Sequence, residues 1–407
     1  MSAGNIFEKM RNYRPPYCKD IIEGNSSAIE NARQFMKSNP REKINDSNYI
    51  QFIESYGCDT FRRIRGYRSH PTSEEEREFP LAFGMLIYTD LEQVERFLRA
   101  IYMPQNYYCI HIDKKAKNLT RTAITKISSC FPNVFLSSKS YDVRWGQFSV
   151  LQADITCPTD LLRIKDWKYF FNLAGQEFPL MSNRQLVRMV KAYSGANDNI
   201  IVKASDMFQS WKARTQYVFK WKGKEFWPRQ TNRRKSAAPH GIRVRRGELH
   251  LIASRKFIEY IIRKKEAKDF LNWLRDTNIP DESFYSTLTA RQAAICVPGA
   301  YNESDEAKPI TSHTRWKHWT DYKGSPKCHG KIVRLICIPG IEDLSRIIKD
   351  NTKPIINKLY INFEYLTFDC LEDYVRGLQN EANSISFQFN DTYFKQLNHV
   401  KYRNTEC

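Results

Sequence analysis

The chain of 407 residues is long enough for one large or two ordinary domains, and its 41% hydrophobic content supplies a full core. A formal net charge of +19 favours anionic partners, but the positive charge is spread, with one dense run from Arg229 to Arg246, so a nucleic-acid binder would rest on charge alone. No apolar stretch has the length of a transmembrane helix, and Met1 to Arg14 is too polar for a signal peptide or anchor.

Residues 1–78 are polar, with short helical patches such as Ile29 to Met36, and read as an accessory stem; the acidic run Ser73 to Glu78 reads as a linker. A regular pattern starts directly after it. Strand-like and helix-like segments then alternate: a strand from Leu81 to Tyr88, a helix from Leu91 to Ile101, a strand from Tyr107 to Ile112, a helix from Thr120 to Ser129 and a strand from Val134 to Ser137. A helix from Ser149 to Ile164, a strand from Tyr169 to Leu173 and a helix from Arg184 to Tyr193 complete the series. This alternation predicts an α/β fold on a mostly parallel central sheet, whose ligands sit at the carboxyl ends of the strands, where Asp113 lies. Further on, a strand from Leu249 to Ala253 feeds a helix from Arg255 to Arg275. The pattern closes with a strand from Lys331 to Ile338 and a helix from Leu366 to Gln379. The dinucleotide signature G-x-G-x-x-G does not follow the first strand.

Three features carry candidate chemistry. In Asn278-Ile-Pro-Asp-Glu282 two carboxylates precede a helical pattern beginning at Ser283; Asp281 is placed to cap that helix, and Glu282, in its first turn, could act as a general base. Arg334 sits between Cys328 and Cys337, and Lys358 follows; two fixed cations can neutralise a pyrophosphate without a metal, although surface charge is the simpler reading of either residue alone. Trp145 in Val143 to Gln147 and the tryptophans of Thr314 to Trp319 stand beside basic residues, which suits either sugar stacking or core packing. Of the ten cysteines none forms a C-x-x-C pair; in the cytosol they would be scattered free thiols and in the secretory pathway most would pair, and five sequons, beginning at Asn25, Asn45, Asn118, Asn302 and Asn390, lean towards the latter and a glycoprotein.

Several of these stretches stand in an order that is itself informative: LRAIYMPQNYYCIHID, SCFPNVF, VRWG, WKYFFNLAGQEFPL and PDES. With their spacing they resemble the core-2/I-branching β1,6-N-acetylglucosaminyltransferases, glycosyltransferase family 14, which also contains the peptide O-xylosyltransferases. The similarity runs from about Phe79 to Cys370. It implies a variant GT-A fold over 79–380, with a donor-binding half at about 79–195, an acceptor and leaving-group half at about 196–380, and a tail at 381–407. Transfer would be inverting and would require no divalent metal, in keeping with a sequence that has no Asp-x-Asp motif.

By motif position the resemblance implies that Leu86, Ile87, Tyr88, Asp113, Lys114, Lys115 and Trp145 border the UDP-sugar. It makes Glu282 the catalytic base, gives Arg334 and Lys358 the departing UDP, and places Trp316 and His318 beside the acceptor. It also implies four disulfides, Cys18–Cys370, Cys58–Cys130, Cys109–Cys157 and Cys328–Cys337, leaving Cys296 and Cys407. Ala174 stands where some members carry a free cysteine, and Gly247-Glu248 stands where a glycine-serine pair is expected. The expected activity is transfer of a sugar, GlcNAc before xylose or glucose, from UDP to an O-glycan hydroxyl, forming a β1,6 branch on glycoproteins in the Golgi. Family members are type II membrane proteins, so a membrane association would run through an anchor not visible in this sequence. The alternative of a different class is a catalytically silent carbohydrate-binding relative.

Overall fold

The computed structural model describes residue 7 and residues 14–71, 73–202, 215–222, 225–301, 313–321, 324–384 and 386–406. Helices α1 (Cys18–Glu23), α2 (Ser26–Ser38), α3 (Asp46–Arg65) and α4 (Glu74–Arg77) precede β1 (Leu81–Ile87). There follow α5 (Leu91–Ile101), β2 (Tyr107–Ile112), α6 (Asn118–Ser129), β3 (Val134–Leu136), α7 (Phe148–Leu161), β4 (Tyr169–Ala174), β5 (Glu177–Pro179) and α8 (Asn183–Tyr193). The second half contains β6 (Ile201–Val202), β7 (Thr215–Lys222), β8 (Glu225–Arg234), β9 (Arg246–Gly247), β10 (Ile252–Ser254), α9 (Arg255–Arg263), α10 (Lys265–Trp273) and α11 (Asp281–Thr289). Then come β11 (Lys331–Val333), β12 (Ile336–Ile338), α12 (Leu344–Lys349), β13 (Ile355–Asn357) and α13 (Tyr365–Glu381).

The central sheet has the order β10-β4-β1-β2-β3, with β4, β1, β2 and β3 parallel and β10 antiparallel at one edge. This is the expected α/β fold with a mostly parallel sheet. β1, flanked by β4 and β2 and covered on both faces, is apolar throughout because neither side meets water. Gly84 is required at its centre: a Cβ there would stand 2.9 Å from the Cβ of Cys157, whose disulfide to Cys109 lies against the sheet.

The N-terminal segment, expected as a stem, packs Ile21, Ala32, Tyr49, Phe52 and Phe61 into the main core. The acidic run is a short helix capped by Ser73 and docked on α8, where Glu75 meets Arg188 and Lys191 at 3.0 Å each and buried Glu76 accepts from Asn183. It is therefore a tie rather than a linker. Phe394 and Val400 of the tail are also buried.

Other boundaries shift for local reasons. The helix expected over Arg255 to Arg275 breaks at Lys264 (φ −73°, ψ 140°). α11 stops at Thr289 because Ala290 bridges to Tyr301. The single strand expected from Lys331 to Ile338 is a hairpin, turned at Arg334 (φ 51°) and Leu335 (φ 66°). The dense basic run is in part strand β8.

All four expected disulfides are present, with Cα–Cα distances of 5.0, 5.0, 5.4 and 5.7 Å in chain order. Cys296, left unassigned by the resemblance, is also disulfide-bonded; Cys407 lies outside the described residues. Of the sequon asparagines, Asn25, Asn45, Asn118 and Asn390 are exposed, and Asn302 lies outside the described residues.

Candidate active site

At the carboxyl ends of β1 and β2 the expected donor-site residues converge. Asp113 is buried, and its backbone N–H donates to the Ile87 carbonyl at 2.9 Å, which sets the two strand ends side by side. Lys115 reaches both Asp113 oxygens, at 2.7 and 2.9 Å, and lies 5.4 Å from the centre of the Tyr88 ring. It also meets Asp142 at 3.1 Å, which in turn holds Arg144 at 2.7 Å. Tyr88 is 48% exposed and Trp145 64%, so both rings are open to a ligand, whereas Ile87 is buried, Leu86 half-buried and Lys114 exposed.

The Trp145 loop is fastened to the loop that precedes Glu282. Gly146, at φ 74°, accepts from the backbone N–H of Ile279 at 2.9 Å, and Ile279 is itself held at φ 52°. A β-branched residue in the left-handed region is strained, and such strain persists only where the surroundings fix it. Pro280 then opens α11. Asp281 does not cap that helix, because it lies inside the first turn, with its Oδ1 sealed from solvent and without a hydrogen-bond partner. Burial, with Glu282 beside it, pushes the Asp281 carboxyl up to about 7. Beneath it, Asp154 of α7 accepts from the Tyr285 hydroxyl and from Asn172 at 3.2 Å, so one buried network ties α7, β4 and α11 together.

Glu282 is 31% exposed and pairs with Arg246, whose Nε and Nη2 lie 2.8 and 2.6 Å from the same oxygen, Oε2. Its other oxygen, Oε1, has no hydrogen-bond partner among the described residues. Burial raises its pKa above the usual carboxylate range, and Arg246 opposes that shift without cancelling it. The position of Arg246 is fixed by Gly247, where a Cβ would fall 1.7 Å from the Ile200 carbonyl oxygen and 2.3 Å from Ser286 Oγ. On the far side of that glycine Glu248 pairs with Lys317 at 2.7 Å. The two residues flanking Gly247 thus place opposite charges at the site.

One extended segment assembles the remaining cations. Trp316 bridges to Ile356 of β13, and Trp319 bridges to Ile336 of β12, so residues 316–319 lie between the hairpin that carries Arg334 and the strand that leads to Lys358. Alternate side chains of such a segment face opposite ways. Arg315 and Lys317 turn to Glu177 (2.8 Å) and Glu248. Trp316 and His318, the expected acceptor contacts, are buried on the other face, where Arg346 lies 5.2 Å from the Trp316 ring and 2.9 Å from His318 Nδ1. Arg334 is exposed at the hairpin turn. Burial, then Arg334 and Lys317, push the Lys358 ammonium below its usual pKa, as expected of cations that converge with too little counter-charge between them.

Glu177, fully buried within the LAGQEFPL stretch, holds this arrangement from below: it accepts from Arg315 and Asn357 at 2.8 Å each and from the Ala174 backbone at 3.0 Å. Arg246, Glu248, Lys317 and Glu177 had no role assigned from sequence. Only Glu248, standing where the serine of a glycine-serine pair is expected, offered a signal. Among the described residues one cluster has metal-ligand spacing, Cys328, Cys337 and Asp343, and its two thiols are spent in a disulfide.

The family model for the core-2/I-branching enzyme matches residues 81–348. The chain belongs to that family. Beta-1,3-galactosyl-O-glycosyl-glycoprotein beta-1,6-N-acetylglucosaminyltransferase 3 of Homo sapiens is 32% identical over 387 residues, covering 91% of this chain and 85% of the relative. The enzyme of the same name numbered 4 is 33% identical in Mus musculus, covering 81% of this chain and 72% of the relative. In Danio rerio it is 34% identical, covering 81% and 77%. This core-2/I-branching family member is accordingly a glycosyltransferase, and the relatives are named as transferases of N-acetylglucosamine to O-glycosyl glycoproteins. No helix among its described residues is long and apolar enough to cross a membrane.

Proposed function

We propose that the protein transfers N-acetylglucosamine from UDP-GlcNAc to the C6 hydroxyl of a GalNAc or galactose residue on an O-glycan, with inversion and without a divalent metal, in the lumen of the Golgi. The observation that carries this reading is the disposition of charge: a carboxylate with raised pKa and one oxygen uncommitted, Glu282, on one side, and on the other a group of cations, Arg334, Lys358 and Lys317, close enough to depress the Lys358 pKa. The acceptor hydroxyl attacks the anomeric carbon while Glu282 takes its proton; the bond to UDP breaks, and the charge that develops on the leaving phosphate is met by Arg334 and Lys358. Those side chains supply the neutralisation that a divalent ion would otherwise supply. Tyr88, Asp113, Lys114, Lys115 and Trp145 line the uridine end, where two open rings offer stacking surfaces.

Two measurements test the reading. A screen of UDP-sugars by UDP release should give the highest turnover with UDP-GlcNAc; preference for UDP-xylose or UDP-glucose would keep the mechanism and change the donor. Transfer to core-1 O-glycan acceptors should also survive a chelator. Failure of every donor on every acceptor would favour a silent carbohydrate-binding relative.

A further inference from the structure

Away from the strand ends, a cavity of about 1030 Å³ opens between the N-terminal helices, α5 and α13. None of the donor-site residues, nor Glu282, Arg334 or Lys358, lines it. Eight arginines but only three carboxylates face it. Four of the arginines are matched: Arg96 with Asp369 (2.7 Å) and Glu372, and Arg99 with Glu372, within the cavity wall, and Arg65 and Arg41 with Glu95 and Glu92, which lie outside it.

Three of the others, Arg63, Arg68 and Arg376, are not balanced in this way. Among the described residues Arg68 reaches only the neutral side-chain oxygens of Gln379, Asn383 and Asn380, at 3.4, 3.4 and 3.5 Å. Arg376 forms an ion pair, among the described residues, only with Asp373, one turn away on the same helix at 3.6 Å; burial lowers its pKa, Glu372 and Asp373 oppose this, and the nearby Arg99 and Arg14 add to the lowering. Arg63, on the opposite wall, is exposed and has no ion pair among the described residues. Guanidinium groups from two walls therefore converge on one space large enough for a ligand. Their planar forks suit the tetrahedral oxygens of phosphate or sulfate, and a multivalent anion would relieve the repulsion among them.

We infer that this arginine-lined cavity binds a compact polyanion carrying several phosphate or sulfate groups, bridging the N-terminal helices to α13 at a place separate from the transfer site. Inositol hexakisphosphate and a heparin hexasaccharide, titrated calorimetrically into the whole protein with UDP at saturation, distinguish a phosphorylated from a sulfated ligand. The expected result is saturable binding of at least one probe at one site, weakening as salt rises. Arg68→Ala with Arg376→Ala should weaken it by at least about tenfold. Arg68→Gln with Arg376→Gln, which keeps polar groups against α13, should do the same with transferase activity retained. Absence of binding by both probes, binding that UDP displaces, or binding indifferent to these substitutions would overturn the inference. Neither outcome depends on which sugar the enzyme transfers.

Discussion

The charges packed around α5 and those gathered around Glu282 are handled in opposite ways by the same chain. On α5, Glu92, Glu95 and Arg96 are buried, and each meets a partner of opposite sign: Arg41 from the loop between α2 and α3, Arg65 of α3 and Asp369 of α13. Burial pushes the Glu95 carboxyl up, but Arg65 and Arg99 outweigh it and leave its pKa below the ordinary value; Glu372 is depressed further, by Arg96 and Arg99. Around Glu282 the balance is left incomplete: Asp281 and Glu282 are held above the usual carboxylate range, and Lys358 is held below the usual lysine range. Matched pairs fix the packing of helices, whereas mismatched groups stand ready for a proton or an anion.

Breaking either region should show which kind of charge it holds. The largest effect is expected from Glu282→Gln, a loss of about 10²–10⁴ in kcat if the residue is the general base. Arg334→Ala and Lys358→Ala should each cost about 10²–10³ in kcat, measured at saturating donor, if they meet charge that develops in the transition state. On the matched side, Arg96→Ala leaves buried Asp369 without its ion-pair partner and Glu372 with Arg99 alone, and should lower unfolding free energy by about 3–5 kcal/mol, with kcat per folded molecule unchanged. Replacing Cys18 and Cys370 by serine, which opens the bridge joining α1 to α13, should cost about 2–4 kcal/mol in denaturant unfolding.

The smallest effect sharpens the comparison most. Arg246 lowers the pKa of Glu282, so Arg246→Gln should raise it. A base works only when deprotonated, so activity is expected to fall as pH drops through the Glu282 pKa. In the variant that acid limb should move to higher pH, while a role of Arg246 in packing alone would leave it in place. The stability side runs by the same logic. Glu372, with its depressed pKa, adds stability above the unfolded carboxylate range that is lost as pH falls towards its folded value.

The sheet was legible because its strands are apolar runs punctuated by amphipathic helices, and β1 to β4 lie where that period places them. The N-terminal helices were not, because what they bury on α5 is charged: Glu92, Glu95 and Arg96 read as a solvent face until Arg41, Arg65, Asp369 and Glu372 arrive from distant parts of the chain. At the site, the PDE stretch and the two cations could be found from sequence. Lys317 could not, since its direction depends on the alternation of an extended segment seated between two strands, and neither bridge has a local sequence signature. For the same reason Trp316 and His318 drew attention for their aromatic rings although both turn towards Arg346.

The central claim is that one carboxylate moves the proton while a separate group of cations holds the leaving nucleotide. Glu282→Gln and Lys358→Ala, compared in parallel for UDP affinity by calorimetry and for transfer to an O-glycan acceptor, test it most directly. The expected result is a split: Glu282→Gln binds UDP as the wild type does yet loses about 10²–10⁴ in the rate of transfer, and Lys358→Ala loses affinity for UDP together with activity. Transfer at the wild-type rate by Glu282→Gln, or unchanged UDP affinity in Lys358→Ala, would contradict it.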